Sequence, residues 1–143
     1  MAIKKHGSAQ WQGGLKDGKG NISTESGALD SHPYGFAQRF EGVKGSNPEE
    51  LIGAAHAACF SMALSKIFGE AGFTADSIQT SAEVSLEEKD GGFSVTGSHL
   101  ILKAVVPDMD QQQFKEAADK AKEGCPISKL LDTKITLDAN LQE

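Results

Sequence analysis

Hydrophobic residues along this chain recur at two spacings, one typical of strands and one typical of helices. In the first third, segments 8–12 and 21–24 are separated by glycine-rich turn sequence and predict two paired strands. In segment 34–40, residues Phe36, Gln38 and Phe40 would share one face of a strand, which predicts a third strand. We therefore expect the N-terminal third to be β-structure.

A long helix is predicted from Asn47 onwards. Asn47 can cap the helix, Pro48 suits its first turn, and Glu50 lies three residues after the cap. Apolar residues then recur at helical spacing until Gly72, which can end the helix. Because the opposite face is hardly polar, we expect this helix to be buried on most sides and to be central to the fold.

The second half of the chain predicts a hairpin, a shorter helix and a last strand. Segment 78–86 alternates apolar and polar residues, and 93–106 returns after a glycine turn with a bulge near Gly97. Apolar residues in segment 114–124 form the stripe of an amphipathic helix that ends at a glycine. Segment 135–141 again alternates apolar and polar residues, which predicts the last strand. Hairpins without a β-α-β rhythm predict an α+β fold with antiparallel sheets packed around central helices.

Length and charge narrow the class of protein. The chain has 143 residues, so we expect a single domain over residues 1–143. Its net charge of −6 argues against a nucleic-acid partner, which would require a basic face. No apolar run approaches about 18 residues, which argues against a membrane span. The charged residues near the N-terminus are not followed by the apolar segment that a signal peptide has, so we expect a cytoplasmic location.

The two cysteines are the first candidates for chemistry. A permanent disulfide is not expected in a reducing compartment, so Cys59 and Cys125 should be free, metal-bound or catalytic. Cys59 lies among alanines on the long helix, where burial raises the pKa of a thiol unless a cation is near. Cys125 follows the second helix and precedes a proline. From the residues alone, a buried filler and one half of a redox pair are comparably supported.

Arg39 is the best candidate for the cation that Cys59 needs. Its guanidinium stays charged at any working pH and could be oriented by the carboxylate of Glu49 or Glu50. The simpler alternative is that Arg39 faces solvent while the glutamates only complement the helix dipole. Composition alone favours this simpler interpretation for each of the three residues.

The histidines offer a second kind of chemistry. His56 lies three residues before Cys59, a spacing that suggests a cysteine hydrolase with histidine as the base. The pattern favours instead a packed, hydrogen-bonded histidine. His6, His32 and His99 have no metal-ligand spacing with either cysteine, so no metal site is expected. No glycine-rich loop opens a helix as phosphate binding would require, and we expect no cofactor.

Longer sequence features decide between these alternatives. Asn-Pro-Glu followed ten residues later by Ala-Cys-Phe, with Gly-Cys-Pro-Ile-Ser downstream, closely resembles the osmotically inducible protein C (OsmC) family. That family is related to the organic hydroperoxide resistance proteins. The similarity runs essentially end to end and includes segments 9–11, 23–27, 33–36 and 39–42.

The resemblance implies a thiol-dependent peroxidase that acts on organic hydroperoxides and, less efficiently, on hydrogen peroxide. By this resemblance, Cys59 matches the peroxidatic cysteine, Cys125 the resolving cysteine, Arg39 the activating arginine and Glu49 its carboxylate partner. It also implies an intertwined homodimer and an external dithiol reductant, with lipoyl groups the type expected. The alternative is a non-catalytic stress or redox-sensing protein that a Cys59–Cys125 disulfide switches.

Helix geometry adds an expectation about the dimer. Glu49 and Cys59 are ten residues apart, which corresponds to about 15 Å along a straight helix. One carboxylate therefore cannot easily serve the thiolate of its own helix. An antiparallel copy of the helix, related by a two-fold axis, could bring its Glu49 end beside this Cys59. We expect two sites at the interface of a symmetric dimer, where the partner could supply Arg39 and Glu49.

Overall fold

A computed structural model describes residues 1–143, which form two compact units, Met1–Leu51 and Ile52–Glu143. The first unit contains a three-stranded antiparallel sheet in the order β1-β2-β3, followed by a short helix. Its elements are β1 (Gly7–Gln12), β2 (Lys19–Thr24), β3 (His32–Tyr34) and α1 (Phe36–Phe40). The two predicted N-terminal strands are therefore confirmed.

Aromatic packing explains one glycine of this sheet. The Trp11 and Tyr34 rings lie 5.5 Å apart between centroids, on strands that flank β2. A Cβ atom at Gly20 would lie 2.5 Å from a Tyr34 ring carbon and 2.6 Å from a Trp11 ring carbon. Only glycine leaves room for both rings to close over β2.

The predicted strand over 34–40 is wrong beyond Tyr34, because the chain turns into helix α1. Gly35 is the extended residue at its N-terminus, and the Glu41 N–H donates to the Ala37 carbonyl at 3.0 Å. Phe36 and Phe40 would lie on the same face of a strand, but they are also an i, i+4 pair on the same side of a helix. Their rings lie 4.9 Å apart, and this contact favours the helical alternative.

The second unit packs helices and a three-stranded sheet around one core. Long helix α2 (Pro48–Glu70) begins in the first unit and continues into this one. The sheet has the order β4-β5-β6. The remaining elements are β4 (Ser77–Lys89), β5 (Gly92–Val105), α3 (Gln111–Gly124), α4 (Pro126–Leu130) and β6 (Lys134–Gln142).

The β4–β5 hairpin follows the sequence prediction closely. Asp90 and Gly91 both have positive φ, of 54° and 82°, as a tight hairpin turn requires. Ser85 faces Gly97 whereas the next residue, Leu86, faces Val95, so one residue of β5 is left without an opposite partner. The predicted bulge therefore lies directly before Gly97.

The last strand corrects the predicted sheet topology. β6 pairs with β5 in parallel, with Leu137 opposite Leu100. α3 and α4 lie between the two strands, so the chain crosses over and enters β6 in the direction of β5. The α+β class is thus confirmed, but the second sheet is mixed and contains one β-α-β connection. The expectation of purely antiparallel pairing is wrong at this edge.

Helix α2 begins and ends as predicted, but only one side of it is buried. The Asn47 Oδ1 atom accepts the Glu50 N–H at 2.8 Å, and Gly72, with a φ of 89°, follows the last turn. The buried residues recur every three or four positions: Glu49, Gly53, His56, Phe60, Leu64 and Phe68. The expectation of burial on most sides is wrong for a single chain, because an apolar stripe is exposed: Ala54, Ala55, Ala58 and Met62.

The apolar length of α2 also corrects an expectation. By length and composition alone, Pro48–Glu70 could cross a membrane, with a mean hydropathy of 1.5 over 18 residues. The earlier expectation that no apolar run approaches this length is wrong. The same test is passed by core helices of soluble proteins. Phe60, Leu64 and Phe68 of this helix belong to the core of the second unit.

Candidate active site

Arg39 and Glu49 form a two-pronged ion pair within the first unit. Arg39 lies in the last turn of α1 and Glu49 in the first turn of α2. Arg39 Nε donates to Glu49 Oε1 and Arg39 Nη2 to Glu49 Oε2, both at 2.9 Å. The hydrogen bonds that Arg39 donates to Glu49 are the main reason why the pKa of Arg39 is raised. Arg39 is therefore paired rather than simply solvated, and its partner is Glu49 and not the exposed Glu50.

This ion pair orients the guanidinium more than it stabilises the fold. The Arg39 side chain is 37% exposed, and an ion pair at such a site contributes about 1 kcal/mol or less. Arg39 also lies over the Phe40 ring, with Cζ 5.2 Å from the centroid. A cleft of 270 Å³ opens beside it, lined mostly by aromatic residues: Trp11, Leu15, Tyr34, Gly35, Phe36, Arg39 and Phe40.

Cys59 opens onto a mainly apolar cleft of the second unit. This cleft has a volume of 650 Å³, and Met62, Ala63 and Ile67 line it together with Cys59. Lys66, Glu70 and Lys120 contribute its charged groups. Met62 thus lies where a substrate pocket would require it. Phe60, the residue after Cys59, instead faces the core and is fully buried.

Cys59 and Cys125 are free thiols, and the two neighbours of Cys125 in the chain, Gly124 and Pro126, line the same cleft as Cys59. Burial is the main reason why the pKa of Cys59 is raised, the Ile127 backbone amide lowers it, and the Cys125 thiol raises it further. None of these influences is a positive charge. Together, these influences favour the protonated thiol of Cys59 over its thiolate.

Cys125 occupies the junction between α3 and α4. Its N–H donates to the Ala121 carbonyl at 2.9 Å, which ends α3. Its sulfur accepts the Ser128 N–H at 3.4 Å, which caps α4, and Pro126 fills the first position of that helix. The side chain is fully buried. The second thiol is thus held by backbone on both sides rather than placed on a loose turn.

His56 is a packed, hydrogen-bonded histidine, as the sequence pattern favoured. Its Nδ1 atom lies 2.7 Å from Ser98 Oγ and its Nε2 atom 2.7 Å from Ser128 Oγ. Burial lowers the pKa of His56, so the ring stays neutral. Both nitrogens are occupied by serines, so His56 has no free nitrogen with which to activate Cys59. This geometry gives no support to a cysteine hydrolase.

Sequence reasoning missed Ser98 and Ser128, which connect His56 to the second thiol. Ser128 Oγ lies 3.4 Å from Cys125 Sγ as well as beside His56. One signal for Ser98 was available, since it shares the inward face of β5 with Leu100 and Leu102. A serine on a buried strand face requires a polar partner. No group of three or more metal-ligating side chains is present.

Comparison with known proteins identifies the family. The family model described as OsmC-like protein matches residues 41–140. The chain belongs to this OsmC-like family. It is 57% identical over 142 residues to peroxiredoxin OsmC of Escherichia coli (strain K12), covering 99% of both chains. It is 35% identical over 125 residues to organic hydroperoxide resistance protein OhrB of Bacillus subtilis (strain 168), covering 86% of this chain and 88% of the relative.

A solved structure supports the same assignment. The crystal structure of Bacillus subtilis OhrB matches with a TM-score of 0.72 and 29% identity, over 96% of this chain and 98% of the other. The resemblance to the OsmC family drawn from the sequence is thus confirmed. The segment that matches the OsmC-like family model contains Glu49, Cys59 and Cys125, whereas Arg39 lies just before it.

Proposed function

We propose that the protein is a thiol-dependent peroxidase that reduces organic hydroperoxides to alcohols, with Cys59 as the reacting residue. The activity follows from its family, whose members named above are a peroxiredoxin and an organic hydroperoxide resistance protein. The observation that carries the chemistry is the pair of free thiols: Cys59 lines a cleft together with Gly124 and Pro126, and Cys125, which lies between these two in the chain, is fully buried. A stress-related antioxidant role is consistent with this chemistry.

The first step is attack by the Cys59 thiolate on the terminal oxygen of the hydroperoxide. An S–O bond forms, the O–O bond breaks, and the alkoxide leaves and takes up a proton to give the alcohol. Cys59 becomes a sulfenic acid. The sulfur is oxidised by two electrons and the peroxide is reduced by the same two, so no cofactor is required.

The second step restores a stable sulfur species. Cys125 attacks the Cys59 sulfenic acid, an S–S bond forms, and the hydroxyl group leaves as water. An external dithiol then reduces the disulfide by two thiol–disulfide exchanges. A dithiol of the lipoyl type, carried by a small molecule or a protein, suits this exchange. The free state of both thiols suits a reducing, cytoplasmic location.

In this mechanism Arg39 is the cation that favours the Cys59 thiolate, as its match to the activating arginine of the family implies. A guanidinium has five N–H donors, and Glu49 uses two of them. The remaining donors can face a thiolate and the departing alkoxide, where a preorganised donor lowers the barrier. Glu49 fixes the orientation of the guanidinium by its two-pronged contact.

A homodimer is the assembly in which we expect this site to be complete. The exposed apolar stripe of α2 consists mostly of alanines, which allow a second copy of the helix to approach closely. A symmetric, intertwined pair of chains would cover the stripe twice and form two equal sites. In each site, Glu49 of the partner subunit would then orient Arg39 of the partner subunit, and this arginine would favour the Cys59 thiolate. The aromatic cleft beside Arg39 would accept an alkyl or aryl tail.

Turnover separates the enzyme from a redox sensor that uses the same cysteines. With cumene hydroperoxide as substrate and excess dithiothreitol as reductant, we expect many equivalents of peroxide consumed per chain. A sensor would consume one equivalent and stop. A second series with hydroperoxides of increasing tail length should show rates that rise until the cleft is filled. Equal rates for hydrogen peroxide and every organic hydroperoxide would contradict the substrate assignment.

A further inference from the structure

A continuous line of buried polar groups ends at the second cysteine. It runs Ser98, His56, Ser128, Cys125, and the exposed fractions are 1%, 0%, 9% and 0% in this order. Such groups are costly to bury, and a core needs only apolar residues to be stable. None of the buried side-chain nitrogen and oxygen atoms in the protein lacks a hydrogen-bond partner. The line therefore forms a complete network rather than a collection of isolated polar atoms.

Ser128 is the link between the imidazole and the thiol. Its hydroxyl oxygen lies 2.7 Å from His56 Nε2 and 3.4 Å from Cys125 Sγ. At the other side of the ring, Ser98 Oγ lies 2.7 Å from Nδ1. A hydroxyl both donates and accepts, so two hydrogen-bond directions are available to the same atoms. In one direction Cys125 donates to Ser128 and Ser128 donates to His56; in the other, both bonds are reversed.

We propose that Ser128 and His56 form a proton relay that takes the thiol proton of Cys125 when this residue attacks the Cys59 sulfenic acid. This inference rests on the proposed peroxidase function and assigns residues to its second step. His56 acts through Ser128 and is a positioning and proton-accepting group, distinct from the residues that meet the peroxide.

The step balances in atoms and electrons. The Cys125 S–H proton passes to Ser128 Oγ while the Ser128 hydroxyl proton passes to His56 Nε2, and Nδ1–H of the resulting imidazolium donates to Ser98. The Cys125 sulfur forms the S–S bond as the S–O bond of Cys59 breaks. The departing hydroxide takes up a proton to give water, and His56 releases its extra proton. One thiol and one sulfenic acid thus give one disulfide and one water, without another oxidant or reductant.

Two further features suit this role. The Ser128 N–H also donates to the Cys125 sulfur at 3.4 Å, so a thiolate formed there would accept two hydrogen bonds from one residue. Burial lowers the pKa of His56, which keeps the ring neutral, so one ring nitrogen has a free lone pair, and Nε2 lies 2.7 Å from the Ser128 hydroxyl. Bulk water has little access to the fully buried Cys125. An internal acceptor is therefore needed if this thiol is to lose its proton quickly.

Single-turnover kinetics test the relay. The protein is mixed with one equivalent of cumene hydroperoxide, and sulfenic acid formation and disulfide formation are followed separately. We expect Ser128→Ala to slow disulfide formation on the order of 100-fold, the usual scale of proton-transfer assistance. Peroxide consumption in the first step should keep the parent's rate, and dimedone should trap more Cys59 sulfenic acid. His56→Gln, which bonds but cannot accept a proton into a charged ring, should behave similarly.

Two variants separate the relay from packing. Ser128→Thr keeps the hydroxyl and should restore most of the rate that Ser128→Ala loses. Ser61→Ala removes a part-buried hydroxyl on a different helix, α2, which contacts Thr80 and no cysteine, and should leave both steps unchanged. If Ser128→Ala and Ser128→Thr slow the second step equally, or if Ser128→Ala does not slow it, the relay is wrong.

The parent protein provides a test that does not depend on any variant folding. A transferred proton in the second step should make disulfide formation slower in D₂O than in H₂O. Equal rates in the two solvents would overturn the relay. A parent that fails already at peroxide consumption would instead contradict the proposed function, so the two failures are distinguishable.

Discussion

The two units of this protein hold their reactive groups by different physical means. In the first unit, Arg39 is held by one ion pair and remains 37% exposed at the end of a five-residue helix. In the second, Cys125 is fully buried and held by backbone and side-chain hydrogen bonds at a helix junction. The charged group is positioned by another charge, and the thiol is positioned by the core. The charge should therefore be the easier of the two to remove without unfolding the protein.

The largest effect on peroxide consumption should come from removing the Cys59 thiol of the second unit. Cys59→Ser should abolish peroxide consumption, because a hydroxyl cannot replace the attacking thiolate at neutral pH. Cys125→Ser should still consume one equivalent and leave a sulfenic acid that dimedone traps. Mass spectrometry of the trapped adduct provides the measurement. Single-turnover consumption by Cys59→Ser equal to that of the parent would show that Cys59 is not the peroxidatic residue.

Removal of the charge in the first unit should have the next largest effect. Arg39→Ala should slow the peroxide step on the order of 100- to 1,000-fold, the usual effect of losing one preorganised donor. Arg39→Lys should recover only part of this loss, because lysine cannot form the two-pronged contact with Glu49. Circular dichroism of both variants should match the parent. An unchanged rate in Arg39→Ala would assign the arginine another role.

The same variant gives a pH dependence with a definite sign. Burial raises the pKa of Cys59, so without a nearby cation the thiolate forms only above the ordinary thiol pKa of about 8.5. The peroxide step of Arg39→Ala should therefore accelerate as pH rises through and beyond that value. In the parent, the thiolate should already be present at lower pH. Thiolate absorbance provides the measurement, and identical titrations in the two proteins would contradict the activating role.

Mixed dimers test whether the partner subunit supplies Arg39 to Cys59. Inactive Cys59→Ser chains and slow Arg39→Ala chains are refolded together, and the heterodimer is isolated with two different affinity tags. If the partner supplies Arg39, one site of each heterodimer contains both lesions and the other is intact, so activity returns. Each homodimer, treated identically, is the control. Verified heterodimers without activity would place Arg39 and Cys59 of one site in the same chain.

Local patterns predicted most of the elements, and contacts distant in sequence account for the main errors. The start of α2 was predictable because Asn47, Pro48 and Glu50 act within one turn of helix. The direction of β6 was not, since it depends on how α3 and α4 return the chain to the sheet. The Arg39–Glu49 pair spans ten residues and was anticipated in part. The contacts of His56 with Ser98 and Ser128 span 42 and 72 residues, which no helical or strand period can indicate.

The smallest expected effect concerns stability and comes from His56. Burial lowers its pKa in the folded protein, whereas the unfolded chain has the ordinary value of about 6.5. Below that pH the unfolded chain binds a proton that the folded protein does not. The free energy of unfolding should therefore fall with acidification, by at most about 1.4 kcal/mol per pH unit from this one group. Above the unfolded pKa the contribution is constant.

Urea unfolding at fixed protein concentration, at several pH values from neutral to mildly acidic, measures this dependence. His56→Gln removes the titrating ring and should lose less stability on acidification than the parent, whatever its stability at neutral pH. His32→Gln is the matched control, because it makes the same change at a histidine that is exposed on β3. If the parent and His56→Gln lose stability in parallel as pH falls, the buried imidazole is not the group that opposes protonation. The neutral His56 that the relay to Cys125 requires would then have lost its support.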